Sequence, residues 1–480
     1  MKKVLVSVAS LLAAFLGNVP ESTPVALANE MHKKTSYAGL WQGELSVGNG
    51  MKLPLVFHFK ETQNKYTGVM DSPMQGKTGT AFDSVTVDGS GKITATLAAA
   101  HASFVGTLDS GKKTITGTWM QSGASLPLTM AASAGYKGPN RPQEPKPPFS
   151  YKCEDVKVAN GDVSLAGTLT IPEGTGPFPA VVLIHGSGSH DRDETIFSHK
   201  PFLVLADYLT RRGIAVLRYD KRGAGKSTGD AKAATSKDFA SDAQKALEFL
   251  KTRPEIDGNK IGMIGHSEGG VVAPMVAAQC DDLHFIVMMA GSVLPGDQIL
   301  LSQVQALEAG QGEKQQEIDH SLAIAKETYA IVKSESSDAE AISKIKAMRK
   351  RLGAPEHKSA AKNAAGDARL EADLKIIVSP WYRFFISYDP RIVLEKVHCP
   401  VLAINGDRDT QVNAQTNLSE IKTALEKGGN KDVTEVVLPG LNHLFQTCKT
   451  GLPAEYASID ETIAPKALQT IGDWIDSKVK

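Results

Sequence analysis

Cysteine is scarce, at four residues among 480, too few for disulfides to frame the fold. Neither sign of charge is in excess: Lys plus Arg and Asp plus Glu each number 53, a formal net charge of zero. No global field therefore draws the chain to nucleic acid or to an anionic membrane surface. Long apolar runs are missing too. Beyond the N-terminal stretch no segment reaches the ~18 apolar residues of a membrane-spanning helix. What is present is ordinary for a globular protein: 41% hydrophobic and 22% charged residues. That balance excludes a wholly disordered chain, a coiled coil and a multi-span membrane protein. The length allows about three domains at ~150 residues each.

Residues 1–28 read as a secretory signal peptide. A basic start, Met1-Lys2-Lys3, precedes the predominantly apolar stretch Val4 to Leu16, and Ala26-Leu27-Ala28 forms a small-x-small cleavage site. Cleavage is expected after Ala28, giving a secreted or periplasmic mature chain with no membrane span. The stretch holds no cysteine for a lipid anchor.

Residues 29–136 alternate apolar and polar positions in about eight short runs, from Leu40–Val47 to Leu126–Met130. Turn signals such as Asp88-Gly89-Ser90-Gly91 separate them, which predicts a small all-β sandwich or barrel. Trp41 and Trp119 in this part are read as core aromatics. Residues 137–149 carry five prolines between Pro139 and Pro148, an extended linker and a domain boundary. From 150 to 480 the pattern changes. Unalternated apolar runs (Ala180–Ile184, Ile214–Leu217, Ile261–Ile264, Phe285–Met289, Val401–Asn405, Glu435–Leu438) alternate with helical stretches, the mark of a doubly wound, mostly parallel α/β sheet. The series breaks at about 296–390. There Ile318, Leu322, Ala325, Tyr329 and Val332, and then Ile342, Ile345, Met348 and Leu352, step at helical spacing. This block predicts a helical insertion.

Chemistry concentrates at the ends of the strands. Gly265-His266-Ser267-Glu268-Gly269 joins a predicted strand to a predicted helix, the context in which a G-x-S-x-G serine is exposed as a nucleophile. A neutral hydroxyl needs a base oriented by an acid. Asp409, in Gly406-Asp407-Arg408-Asp409 after the strand ending at Asn405, is the candidate acid, with Asp407 the alternative. His443, in Gly440-Leu441-Asn442-His443 after the next strand, is the candidate base; His185 and His266 read as packed core histidines. The turn His185-Gly186-Ser187-Gly188 offers a backbone N–H for an oxyanion hole. Ser187 is the candidate donor and Gly188 the alternative, paired with the N–H of Glu268. Asp191-Arg192-Asp193-Glu194 reads as a structural ion-pair network rather than a metal site. Gly223 to Thr228 imitates the tail of a P-loop, but Asp220 stands where the first glycine is required. No metal or organic cofactor is implied.

The stretch from about 150 to 480 resembles an α/β-hydrolase. It is most similar to the secreted serine aminopeptidase-like or dienelactone-hydrolase-like esterase branch. The resemblance rests on His185 to Gly188, Asp191 to Glu194, Tyr219-Asp220-Lys221-Arg222-Gly223, Gly265 to Gly270, Gly406 to Asp409 and Asn442-His443, and covers two-thirds of the chain. It implies an eight-stranded sheet with a helical cap inserted before the acid, and the order Ser267, Asp409, His443 is the α/β-hydrolase order. The expected activity is cleavage of a small-molecule carboxylic ester through an acyl-enzyme. A serine peptidase or aminopeptidase with the same triad, and an inactive ligand-binding homologue, are the other readings. The aromatic cluster Trp381, Tyr382, Phe384 and Phe385 near the end of the cap is expected either to line an acyl pocket or to pack cap against sheet. Cys399 and Cys448 flank the acid and base loops, and a bridge between them is expected.

Overall fold

A computed structural model describes residues 36–46, 52–63, 65–73, 77–121, 124–134, 140–353 and 364–480. The signal-peptide stretch 1–28 and the first linker residues, 137–139, lie outside the described residues.

Nine strands fill the N-terminal part, from Gly39–Ser46 to Ala124–Ser133. Eight of them close on themselves: Lys52–Thr62 pairs with Gly39–Ser46 on one side and Lys65–Ser72 on the other, and the remaining strands complete the ring. The domain is therefore a barrel and not a sandwich. The ninth strand, Lys77–Ala81, hangs on Lys65–Ser72 outside the ring. Alternation sends Leu55, Phe57 and Phe59 inward. Phe57 sits among other rings, 5.2 Å from Phe82 and 5.3 Å from Phe104 between centroids. Trp41 and Trp119 are buried in the same cluster, so both are core residues.

The proline-rich linker is strapped down rather than free. Arg141 donates to the carbonyl oxygens of Phe197, Ser198, Ala457 and Ile459. The Gln143 amide donates to Ile463 O and accepts from the N–H groups of Thr462 and Ile463. Ser198 Oγ in turn donates to Pro73 O of the barrel domain, at 2.9 Å.

In the second part eight strands lie side by side in the order Lys152–Asn160, Val163–Ile171, Ala215–Tyr219, Phe178–Ile184, Ile256–His266, Phe285–Met289, Val401–Gly406 and Val433–Leu438. The first two pairings are antiparallel and the rest parallel. The central parallel strands are buried along their length, as their unbroken apolar runs demand. One core cluster fills one face of the sheet under helices Ser236–Lys251, Gly269–Ala277 and Ala414–Lys427. A second lies on the other face under Pro201–Arg211 and Pro465–Val479.

Five helices form the insertion: Gly296–Gly310, Gln315–Ser334, Asp338–Arg351, Ala364–Ile377 and Pro380–Ser387. Ala325, Tyr329, Val332, Ile345 and Met348 of the two predicted stripes share one cap core with Tyr382 and Ile386. Trp381 packs against both this cap core and the main sheet core, and Phe384 against the sheet core. No helix among the described residues is long and apolar enough to cross a membrane.

Candidate active site

Strand Ile256–His266 ends one residue before Ser267, and helix Gly269–Ala277 starts two residues after it. Ser267 turns the corner with φ +53°, a left-handed conformation that costs a side-chain-bearing residue about 1–2 kcal/mol. Space dictates the flanking glycines. A Cβ on Gly265 would lie 2.0 Å from Gly269 O, and one on Gly269 would lie 2.1 Å from Ile184 O. The serine N–H is held by Met289 O at 2.9 Å, and its side chain is partly exposed.

Asp409 and His443 meet. His443 Nδ1 lies 2.7 Å from Asp409 Oδ2, both side chains being buried. The carboxylate can only accept, so Nδ1 carries the proton and Nε2 keeps a free lone pair. The other carboxylate oxygen, Oδ1, accepts from Gln411 N at 2.7 Å and Val412 N at 2.8 Å. The acid and base loops touch through backbone: Arg408 N donates to Leu441 O, and a Cβ on Gly406 would lie 2.1 Å from that same oxygen. Asn442, fully buried, ties the base loop by accepting from the N–H groups of Leu444 and Gln446. Asp407, the alternative acid, is exposed and accepts from Gly440 N. It does not reach His443.

The base loop leans on the residue before the serine. His266 Nε2 is 3.1 Å from the His443 carbonyl oxygen, and the two rings are 5.0 Å apart. Among the described residues no hydrogen bond joins Ser267 Oγ to His443 Nε2; such contacts commonly tighten only in the substrate complex. On the other side the turn at Gly186 lies directly on the serine, since a Cβ there would stand 3.3 Å from Ser267 Cβ. The N–H groups of Ser187, Gly188 and Glu268 carry no hydrogen bond among the described residues. Gly186 N is committed to Glu194 Oε1 at 2.6 Å.

Four residues outside the predicted set build this arrangement. Glu194, read from sequence as part of a structural ion-pair cluster, is buried behind the elbow. Its Oε1 faces His266 Nδ1 at 3.1 Å. Both ring nitrogens of His266, read as a packed core histidine, thus face acceptors, and a neutral ring has only one donor. Burial opposes the charged ring, but the Glu194 carboxylate outweighs it and raises the His266 pKa above its ordinary value. Burial likewise opposes the charged form of Glu194, and His266, foremost among the neighbouring histidines, more than reverses that, so its pKa is lowered. Glu194 Oε2 has no partner among the described residues, and Glu194 is one of the residues lining a cavity with room for about one water molecule, with Phe202, Met289 and Phe445. Neighbouring His185 is pushed down to about 3 by burial, so it is neutral. The rest of the acidic cluster is structural: Arg192 pairs with Asp220, Arg218 with Asp193, and Asp191 accepts from the N–H groups of Asp193 and Thr195.

Glu268 is the centre of a second buried group. Its Oε2 takes Lys221 Nζ at 3.1 Å; its Oε1 takes Ser236 Oγ at 2.6 Å and the cap's Trp381 Nε1 at 2.7 Å. Trp381 stacks on Phe385 at 5.1 Å, so it both packs and binds beside the elbow. The expected Cys399–Cys448 bridge is absent: all four cysteines are free thiols. Cys448 instead donates to Gly440 O, and Cys399 is partly buried.

Residues 160–439 match the family described as X-Pro dipeptidyl-peptidase (S15 family). The chain is 30% identical to esterase EstD of Thermotoga maritima over 337 residues, 68% of each chain. It is 29% identical to putative hydrolase YtaP of Bacillus subtilis over 149 residues, 28% of this chain and 49% of that protein. Among solved structures it is similar to the Pyrococcus furiosus esterase Pf2001, at 15% identity and a TM-score of 0.42, covering 72% of this chain and all of that one. The chain belongs to the α/β-hydrolase superfamily and, within it, to the S15 family.

Proposed function

We propose that the protein is an exported serine hydrolase that cleaves carboxylic esters. Ser267 attacks the substrate carbonyl while His443 Nε2 takes its proton. Asp409 holds the ring with Nδ1–H toward itself and stabilises the imidazolium. The N–H groups of Ser187 and Glu268 receive the developing oxyanion. His443 then protonates the leaving alcohol, and water, deprotonated by the same ring, releases the acid. The observation that carries this reading is the 2.7 Å Asp409–His443 contact placed beside a serine held at φ +53°. Export rests on the N-terminal sequence pattern alone.

The family to which the chain belongs favours a second reading, peptide cleavage. An enzyme that takes a free N-terminus must hold an ammonium group, most simply on a carboxylate. The carboxylate next to the nucleophile in sequence, Glu268, already has three internal donors. Purified protein is therefore expected to hydrolyse short and medium p-nitrophenyl esters, with little turnover of aminoacyl arylamides. A fluorophosphonate is expected to label Ser267, and Ser267→Ala to lose labelling and up to ~10⁶-fold in kcat. Efficient arylamide cleavage with negligible ester turnover would select the peptidase, and an unaffected Ser267→Ala would overturn both.

A further inference from the structure

Lys221 follows the strand Ala215–Tyr219 and is 5% exposed. A lysine buried to this degree needs partners for its charge, and its partners are specific. Nζ donates to Gly186 O at 2.9 Å and to Glu268 Oε2 at 3.1 Å, and lies 3.9 Å from the centre of the Phe239 ring. These two acceptors belong to the two sides of the oxyanion hole. The Gly186 carbonyl and the Ser187 N–H share one planar trans peptide, in which they point in opposite directions. Fixing the carbonyl on Lys221 therefore fixes the direction of the Ser187 N–H. Glu268 carries the other N–H, and its side chain is pinned by the same ammonium. A third bond reaches the same carboxylate from the cap, through Trp381 Nε1 at 2.7 Å.

We propose that Lys221 is a positioning residue for the oxyanion hole, and that the Trp381–Glu268 bond makes the geometry of that hole depend on the seating of the cap. The proposal rests on the serine-hydrolase reading of Ser267 and specifies how that site is regulated. Ground-state binding owes nothing to Lys221, which touches no substrate. The oxyanion exists only after attack, so misdirected donors lower kcat and leave KM alone. Trp381→Phe keeps the stack on Phe385 and removes the donor. Its effect is then the same for every acyl length, whereas a mere pocket wall would discriminate between long and short chains.

The test uses the full chain. Lys221→Met keeps length and removes the donors. It is expected to lower kcat on an acetyl p-nitrophenyl ester by ~10²-fold, the scale of one lost oxyanion donor, with KM changed by less than about threefold. Affinity for a trifluoromethyl ketone, which forms a tetrahedral adduct with the serine, is expected to fall in proportion. The double variant Lys221→Met/Glu268→Gln removes both charges and so tests whether Lys221 only neutralises Glu268. It is expected to stay slow, and it also serves if the single variant fails to fold because of the stranded carboxylate. Recovery of kcat in the double variant, or unchanged ketone affinity in a folded single variant, overturns the proposal. Ser267→Ala, run in parallel, separates the two failures: if it abolishes turnover while the Lys221 variants are normal, only the role of Lys221 falls.

Discussion

Replacing Asp409 by Asn is the sharpest probe of the candidate triad, because the surroundings leave the new amide one orientation. Oδ1 of Asp409 accepts from two backbone N–H groups, those of Gln411 and Val412, at 2.7 and 2.8 Å. An asparagine must keep its carbonyl oxygen there, since turning its NH₂ toward two donors would leave all of them unpaired in a buried site, at about 1–3 kcal/mol each. The NH₂ therefore faces His443 Nδ1. That nitrogen must now accept, the ring proton moves to Nε2, and the base presents a proton to Ser267 where it needs a lone pair. The expected loss is ~10⁴-fold in kcat, about 5 kcal/mol of transition-state stabilisation. The fold should survive, because both loop hydrogen bonds are retained. Asp409→Ala would be a poorer test, since it strands the same two N–H groups and mixes folding with chemistry. Asp407→Asn is the control: among the described residues its exposed carboxylate accepts only from Gly440 N, an amide oxygen can replace it, and activity should stay within a few-fold. The assay is kcat/KM on a p-nitrophenyl ester, with the thermal midpoint measured alongside. A vigorous Asp409→Asn, or a crippled but folded Asp407→Asn, refutes the assignment.

Three further outcomes are expected. The buried Glu194–His266 pair gives stability a pH window. Glu194 is held below its ordinary value of 4.5, so its contribution is present above that value and fades as the pH falls toward the folded one. His266 is raised above 6.5, so its contribution is full below 6.5 and is lost as the pH rises through the raised value. The thermal midpoint should drop on the alkaline side, and His266→Gln should remove that limb; identical slopes in both proteins would refute the pairing. Denatured, unreduced protein should titrate with a thiol reagent as having four free thiols, and a smaller count would contradict the fold around Cys399 and Cys448. Arg141→Ala removes four bonds to the loops around Phe197 and Ala457. It should cost about 2 kcal/mol in urea unfolding, whereas no change would mean the linker is not a strap.

The α/β sheet was legible where its strands are buried on both faces. Phe285–Met289 and Val401–Gly406 are unbroken apolar runs and stand where expected. The first two strands escaped notice. Lys152–Asn160 is an edge strand that buries only Val156 and Val158 beside exposed Lys157, and it reads as polar unless period two is sought around Gly161. The helix Ala414–Lys427 was missed as well, although Asn413 caps it by accepting from Thr416 N and Leu418, Ile421 and Leu425 step along one face. Lys77–Ala81, outside the barrel ring, has no apolar run to betray it. Ser267, Asp409 and His443 could be proposed because each sits in a short motif at a strand end. Glu194, His266, Lys221 and Trp381 could not, because each acquires its role from a partner far along the chain. His266 meets Glu194 across 72 positions, Lys221 meets Glu268 across 47, and Trp381 meets Glu268 across 113. Local pattern finds the groups that react. The groups that aim them are set by tertiary packing.

The same packing bears on the choice between ester and peptide. Three carboxylates are buried at the site, and their acceptor positions can be followed one by one. Asp409 takes Gln411 N, Val412 N and His443 Nδ1. Glu268 takes Lys221, Ser236 and Trp381. Glu194 takes Gly186 N and His266 on Oε1, and the cavity it helps to line has room for about one water and is walled by Phe202, Leu205, Met289 and Phe445. An ammonium group attached to a peptide cannot enter that space, and a buried cation there would face apolar walls on most sides. Each of these three carboxylates is thus engaged in bonds within the site itself. An ester asks for none of them, because its alcohol leaves with only a proton from His443.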